Sequence, residues 1–239
     1  MRKFTLPLIV LSLYGGNIYA EEKINVHYND RPPYLIMKNG ELTGLTGSVA
    51  IAAFKSAGIP FQLSNTPATR QLDILKKHQG KDCAVGWFKN PDREKFAKFT
   101  KPLYKDKPQV AIVVNKNNTL KDNAVLEEAL TKKDAILLMK QSYSYGKFLD
   151  GLIEKVKPRQ HAVSGENTAM IKIIAANREN YYMFSAPEEF ESMVQASGLN
   201  LKDFKTINFK DMPAGEQRYI LCSQKVEDSL IEKLNSAIK

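Results

Sequence analysis

Three short apolar runs set the terms for this chain: residues 24–28 (Ile-Asn-Val-His-Tyr), 61–63 (Phe-Gln-Leu) and 83–87 (Cys-Ala-Val-Gly-Trp), separated by two stretches of helical periodicity. Between the first two runs, residues 46–57 place Val49, Ala52, Ala53, Phe54 and Ala57 on one helix face and stop at Gly58, which suits the left-handed position after a helix. Residues 69–79 form the next helical stretch, closed by Gly80. Strands joined by helices run parallel, because the crossover is too long for a hairpin, and a parallel sheet is covered by helices on its faces. The sequence predicts an α/β lobe built β-α-β-α-β. Residues 30–34 (Asp-Arg-Pro-Pro-Tyr) end the first strand in a loop, since neither proline can donate to a ladder, and Asn39-Gly40 marks a turn.

The pattern then starts again. Residues 109–114 (Gln-Val-Ala-Ile-Val-Val), 135–139 (Ala-Ile-Leu-Leu-Met) and 181–184 (Tyr-Tyr-Met-Phe) read as strands, and residues 145–156 and 168–177 as helices. This predicts a second α/β lobe. A strand over 218–222 and a helix over 226–238, with Leu230, Ile231, Leu234 and Ile238 on one side, follow it.

The N-terminus carries a different signal. Arg2 and Lys3 precede an apolar stretch from Phe4 to Tyr14, then Gly15-Gly16 and the small residue Ala20 before Glu21. This is the layout of a secretory signal peptide over residues 1–20, cut after Ala20, and its apolar stretch falls short of the roughly 20 residues that span a bilayer. A soluble, periplasmic product is expected. Loss of Arg2 and Lys3 takes the net charge from +9 to about +7. The basic residues are interspersed with acidic ones, which argues against a nucleic-acid tract and for a milder preference for anionic or carboxylate-bearing partners. His27, His78 and His161 are isolated from one another and read as surface or packing residues, so neither a metal nor a cofactor is expected. Cys83 and Cys222 lie far apart in a chain bound for an oxidising compartment, where a disulfide is chemically allowed.

In an open parallel sheet, ligands sit at the carboxyl ends of the strands, where helix N-termini point their amide groups. The segments there are residues 29–34, 86–93, 141–145 and 184–188. In the second, Trp87 and Phe88 leave the strand and Pro91 turns the chain. Arg93 then stands where a guanidinium can make a two-pronged bond to a carboxylate. The plainer reading is that Trp87 and Phe88 pack under the loop while Arg93 pairs with Asp92 or Glu94.

Several motifs in order resemble the periplasmic solute-binding proteins of amino-acid-type ABC importers. They are Pro32-Pro33-Tyr34 followed by Gly40 and Gly44, the run from Gly80 to Gly86, Pro91-Asp92-Arg93 followed by Phe99-Thr100-Lys101-Pro102-Leu103-Tyr104, Ser142-Tyr143-Ser144-Tyr145-Gly146, and residues 175–182. The resemblance implies a two-lobed, type II periplasmic-binding fold, with residues 21–106 plus 217–239 in one lobe and 107–216 in the other. It also implies hinge bending around a small ligand and a partner that is a membrane permease or receptor; a monomer is expected. In that family the arginine at the position of Arg93 holds the ligand α-carboxylate and the aromatic at Tyr34 stacks on its side chain. Ser142, Tyr143 and Ser144 complete the anion site at a helix start, and Thr46, Gly86, Trp87, Phe88, Ser185 and Glu188 join the expected ligand-binding set.

One departure stands out. Amino-acid binders usually carry an aspartate where this chain has Ser185, and a buried ammonium without a carboxylate is costly. Either Glu188, Asp30 or Glu166 substitutes, or the ligand is not an ordinary α-amino acid. Asn29, Asn90 and Asn167 suit a neutral ligand or, more plainly, turns and caps. An enzyme on the same scaffold, a dehydratase, would need a proton donor in the crevice, for which Glu188 is the one candidate. A ligand-sensing partner of a membrane receptor needs the same two lobes as an importer component does. The resemblance also places the strand over 218–222 beside that over 83–87. That adjacency leaves two states open for Cys83 and Cys222, a disulfide or two buried thiols.

Overall fold

The structure of the chain, a computed structural model, describes residues 22–141, 143–176 and 180–239. The signal segment over 1–20 and Ser142 lie outside the described residues. The first lobe opens with β1 (Ile24–Tyr28), the hairpin β2 (Ile36–Lys38) and β3 (Glu41–Thr43), α1 (Gly47–Ser56), β4 (Phe61–Asn65), α2 (Ala68–Lys77) and β5 (Asp82–Phe88). The one-turn α3 (Pro91–Glu94), β6 (Ala97–Phe99) and β7 (Tyr104–Lys105) follow. The chain then crosses to β8 (Val110–Val114), α4 (Leu126–Leu130), β9 (Ile136–Lys140), α5 (Lys147–Val156), β10 (Gln160–Val163), α6 (Asn167–Ala175), β11 (Tyr181–Ser185), α7 (Pro187–Ala196) and β12 (Phe204–Ile207). It returns as β13 (Gln217–Ser223) and α8 (Asp228–Ala237).

The first sheet has the order β4-β1-β5-β13-β6, with β7 also on β13; β1 is parallel to β4 and β5, and β13 runs antiparallel between β5 and β6. The second has the order β10-β9-β11-β8-β12, parallel through β10, β9 and β11 and antiparallel at β8 and β12. The mixed α/β class read from the sequence is the observed one. Antiparallel strands enter each sheet where the chain crosses between lobes.

Period-two alternation distributes the core. In the first lobe Cys83, Val85, Ile220 and Cys222 face a cluster with Phe54 of α1 and Leu234 of α8, while Ala84 and Leu221 face Leu72 and Leu75 of α2. In the second, Val113, Leu137, Tyr182 and Phe184 pack with α4 and α5, and Ile112, Leu138 and Met183 with α6 and α7. Cys83 and Cys222 are register partners on adjacent strands and are joined as a disulfide. His27 is a packing residue, held between Thr66 Oγ1 (2.9 Å) and Asp82 Oδ1 (3.0 Å).

The two crossings run side by side: the Asp106 amide donates to the Glu216 carbonyl at 2.9 Å. A Cβ on Gly215 would lie 1.9 Å from the Asp106 carbonyl oxygen, so this contact admits only glycine.

Candidate functional site

A crevice opens between the two sheets at the ends of β1, β5, β9 and β11. On the first-lobe side Gly86, at φ +87°, turns the end of β5, and Trp87 and Phe88 follow it onto the wall. Asn90 caps α3, its side chain accepting from the Arg93 amide at 2.9 Å, with Pro91 in the first helical position. This short helix aims Arg93 inward. The Arg93 side chain is buried, donates to the Phe88 carbonyl (2.7 Å) and lies over the Trp87 ring, 4.7 Å from its centroid. Asp92 pairs instead with Lys95 and Glu94 with Lys89, and among the described residues Arg93 makes no ion pair. Burial pushes its pKa down to about 10, against the opposing charges of Asp150 and Tyr143.

A buried ionic chain crosses the crevice. Arg31, in the loop after β1, bonds Glu189 of α7 with both prongs, at 2.6 and 2.7 Å. Arg218 of β13 holds Asp106 in the same way (2.8 and 2.7 Å), donates to the Gly86 carbonyl and comes within 3.9 Å of Glu189. Its guanidinium lies 3.8 Å from the Tyr34 ring centroid and 4.6 Å from that of Phe88. Burial alone would raise the Glu189 carboxyl, but Arg31 and Arg218 outweigh it and hold it below the usual range. The Arg31 guanidinium is held well above its ordinary value by Glu189, despite opposing desolvation. Asp106 is raised by burial, which Arg218 only partly offsets, and Tyr34 is raised by burial as well.

The second-lobe wall is built on the loop after β9. Tyr143 lies under two cations, Arg31 at 5.2 Å and Lys140 at 4.6 Å, and Lys140 also meets Glu166 at 3.2 Å. The start of α5 is capped from within: Asp150 accepts from the Ser144 hydroxyl and, at 2.8 Å, from the Tyr145 amide. Burial raises Asp150. Ser185 ends β11, buried on the inner wall.

Of the residues singled out in the sequence, Tyr34, Gly86, Trp87, Phe88, Arg93, Tyr143 and Ser144 line one crevice, and Ser185 joins them in its adjoining part. Ser142 lies outside the described residues. Thr46 is not on the wall: it is fully buried and its hydroxyl donates to the Tyr34 carbonyl at 3.1 Å, fixing the Pro32-Pro33-Tyr34 loop from behind. Nor is Glu188, which turns to the crossing and accepts from the Tyr104 hydroxyl (3.0 Å) and the Lys107 amide (2.9 Å). The carboxylate one position on, Glu189, is the one that reaches the crevice. Asn90 is a cap, whereas Asn29 and Asn167 do face the opening. Arg31, Lys140 and Arg218 complete the wall, and no sequence pattern marks them out. For Glu189 a signal existed: Pro187 followed by two acidic residues is a helix start, which would have placed α7.

Two α/β lobes with crossed chains and a crevice between them define the type II periplasmic-binding fold. The profile of the bacterial extracellular solute-binding proteins, family 3, matches residues 24–239, and the chain belongs to that family, one of binding proteins rather than enzymes. No curated protein sequence matches it significantly. Among solved structures it is similar to an ancestral arginine-binding protein bound to arginine (16% identity, TM-score 0.69, 90% of each chain covered). It is also similar to the arginine-, lysine-, histidine-binding protein ArtJ from the thermophilic bacterium Geobacillus stearothermophilus (15%, TM-score 0.68, 91% of this chain and 87% of that one). A third likeness is to a chain from work on glutathione import via GshT and the cystine ABC importer TcyBC of Streptococcus mutans (14%, TM-score 0.69, 90% and 86%). At these identities the structural likeness speaks for the fold.

Proposed function

We propose that this protein is a periplasmic solute-binding component of an ABC importer that captures a small carboxylate-bearing metabolite between two hinged lobes. The lobes are residues 21–106 with 217–239, and residues 107–216. The observation that carries the reading is Arg93: a buried guanidinium with no carboxylate partner among the described residues, open to the crevice and backed by the Trp87 ring. A cation buried in this way is stabilised when an anion arrives, and a carboxylate matches its remaining donors. Tyr34, Phe88 and Tyr143 supply aromatic surface, and Gly86, Ser144 and Ser185 supply small polar contacts. Closure swings Tyr143 and Ser144 onto a ligand already seated on the first lobe.

The test is a thermal-shift and fluorescence screen of protein freed of co-purified small molecules, against amino acids, organic acids, amines and small peptides. A ligand at about 100 times its Kd adds ~2.7 kcal/mol of stability. Trp87 is the sole tryptophan, so its emission reports on the crevice. A carboxylate is expected to give both signals in the wild type and neither in Arg93→Ala. A ligand whose affinity survives that substitution would return Arg93 to a structural role.

A further inference from the structure

We infer that the ligand is a carboxylate without an ammonium group, an oxo-, hydroxy- or dicarboxylic acid, because among the described residues the charged lining of the inner crevice is four cationic side chains and one carboxylate, and that carboxylate is already held. This rests on the reading that the crevice binds a carboxylate at Arg93. The cations are Arg31, Arg93, Lys140 and Arg218, and the carboxylate is Glu189. Both Glu189 oxygens are bonded to Arg31, with Arg218 close behind.

Among the described residues no other acid stands ready for an ammonium. Asp106 is behind the wall with both oxygens on Arg218, and both Asp150 oxygens are bonded to Ser144 and Tyr145. Glu166 lies in the outer mouth, on Lys140, and Asp30 also faces only that mouth. Glu188 has a buried oxygen with no partner, but its other oxygen is tied to Tyr104 and Lys107 at the crossing, away from the crevice wall. The end of β11 offers the Ser185 hydroxyl, which cannot neutralise a cation. Among the described residues an ammonium entering here meets the unpaired Arg93 guanidinium and finds Glu189 only as a carboxylate shared with Arg31 and Arg218; an acid lacking it meets neither cost.

The experiment pairs each acid with its amino counterpart of the same carbon skeleton: pyruvate with alanine, 2-oxoglutarate with glutamate, 4-methyl-2-oxopentanoate with leucine, phenylpyruvate with phenylalanine. Binding is measured by calorimetry on wild type and on Arg31→Gln, which frees Glu189. At least one oxo acid is expected to bind, its amino partner at least about tenfold more weakly. In Arg31→Gln that ratio should shrink. An amino acid that binds as well as its oxo partner overturns the inference and leaves the carboxylate reading standing. So does a ratio unmoved in a folded Arg31→Gln protein; if that variant does not fold, the wild-type ratio decides. Failure of every acid, with and without the amine, overturns the carboxylate reading itself and this inference with it.

Discussion

Cutting the Arg31–Glu189 bridge is the most demanding test of the crevice, because its partners come from different lobes, 158 positions apart in the chain. At a charge separation of about 4 Å and an effective dielectric near 20, the attraction is ~4 kcal/mol, before desolvation of the two ions is set against it. Removing one partner exposes that desolvation cost, typically about 3–5 kcal/mol for a buried pair. The two deletions are unequal. The Glu189 side chain is 2% exposed and the Arg31 side chain 21%, so a bereaved Arg31 rehydrates more easily than a bereaved Glu189. Arg31→Met should therefore destabilise more than Glu189→Gln, with a coupling of roughly 2–4 kcal/mol in the double-mutant cycle measured by urea unfolding. Because the pair is buried, the coupling should persist in about 1 M salt, where an exposed pair would be screened out. Small-angle scattering should show a larger radius for either single variant, since the stranded charge is hydrated when the lobes part. A coupling below about 0.5 kcal/mol, or one that vanishes in salt, would show the bridge to be an incidental surface contact.

The remaining predictions are separable from that one. Arg93→Met should stabilise the ligand-free protein by about 1–3 kcal/mol at neutral pH, read as a raised melting temperature, because a desolvated cation with a depressed pKa costs stability while protonated; a lowered melting temperature refutes this. Arg93→Lys should restore ligand binding only in part, as read by titration of Trp87 emission, since an ammonium lacks the two-pronged geometry. Glu189, held below its ordinary value, stabilises the fold above the unfolded carboxylate pKa and loses that contribution as pH falls through its lower folded value; the lobes should stay closed at about pH 5 and open only in stronger acid, which a scattering pH series checks. Thiol titration of denatured, unreduced protein from an oxidising compartment should find no free cysteine. Cys83→Ala with Cys222→Ala should destabilise by up to about 5 kcal/mol, the entropy estimate for their 139-residue separation.

Long-period features were legible in the sequence, and short or reciprocal ones were not. The first helix, closed by Gly58 at φ +64°, and the apolar strands read correctly because each carries a consistent apolar spacing; the second helix stops at Lys77, where His78 at φ +48° takes the left-handed position expected of Gly80. The helix expected from residue 145 begins at Lys147, since Gly146, at φ +93°, sits against Glu216. The two-residue β7 and three-residue β6 carry too few positions for a period, and exist because β13 offers them an edge. Arg93 was legible from its place after a strand end. Arg31, Arg218 and Glu189 were not, for each has meaning only through a partner far along the chain.

That partnership divides the crevice into a first-lobe floor and a second-lobe wall. β13 lies between β5 and β6, is bonded to β5 through Cys222, and carries Arg218 four residues before that bond. Arg218 in turn grips Asp106 at the first crossing, Gly86 at the end of β5, and the faces of Tyr34 and Phe88. One strand thereby locks the first-lobe wall to the crossing, and Arg93, backed by Trp87 and tied to the Phe88 carbonyl, stands on the same rigid piece. The second lobe contributes Tyr143, Ser144 and Glu189, linked across the gap by the Arg31–Tyr143 cation–ring contact and by the ion pairs of Glu189 with Arg31 and, at 3.9 Å, Arg218. If the protein works as proposed, the floor sets affinity for a carboxylate, and the wall sets how far the lobes close. Substitutions at Arg93 should then appear mainly in the dissociation rate of the first encounter, and those at Glu189 in the open–closed equilibrium that follows it.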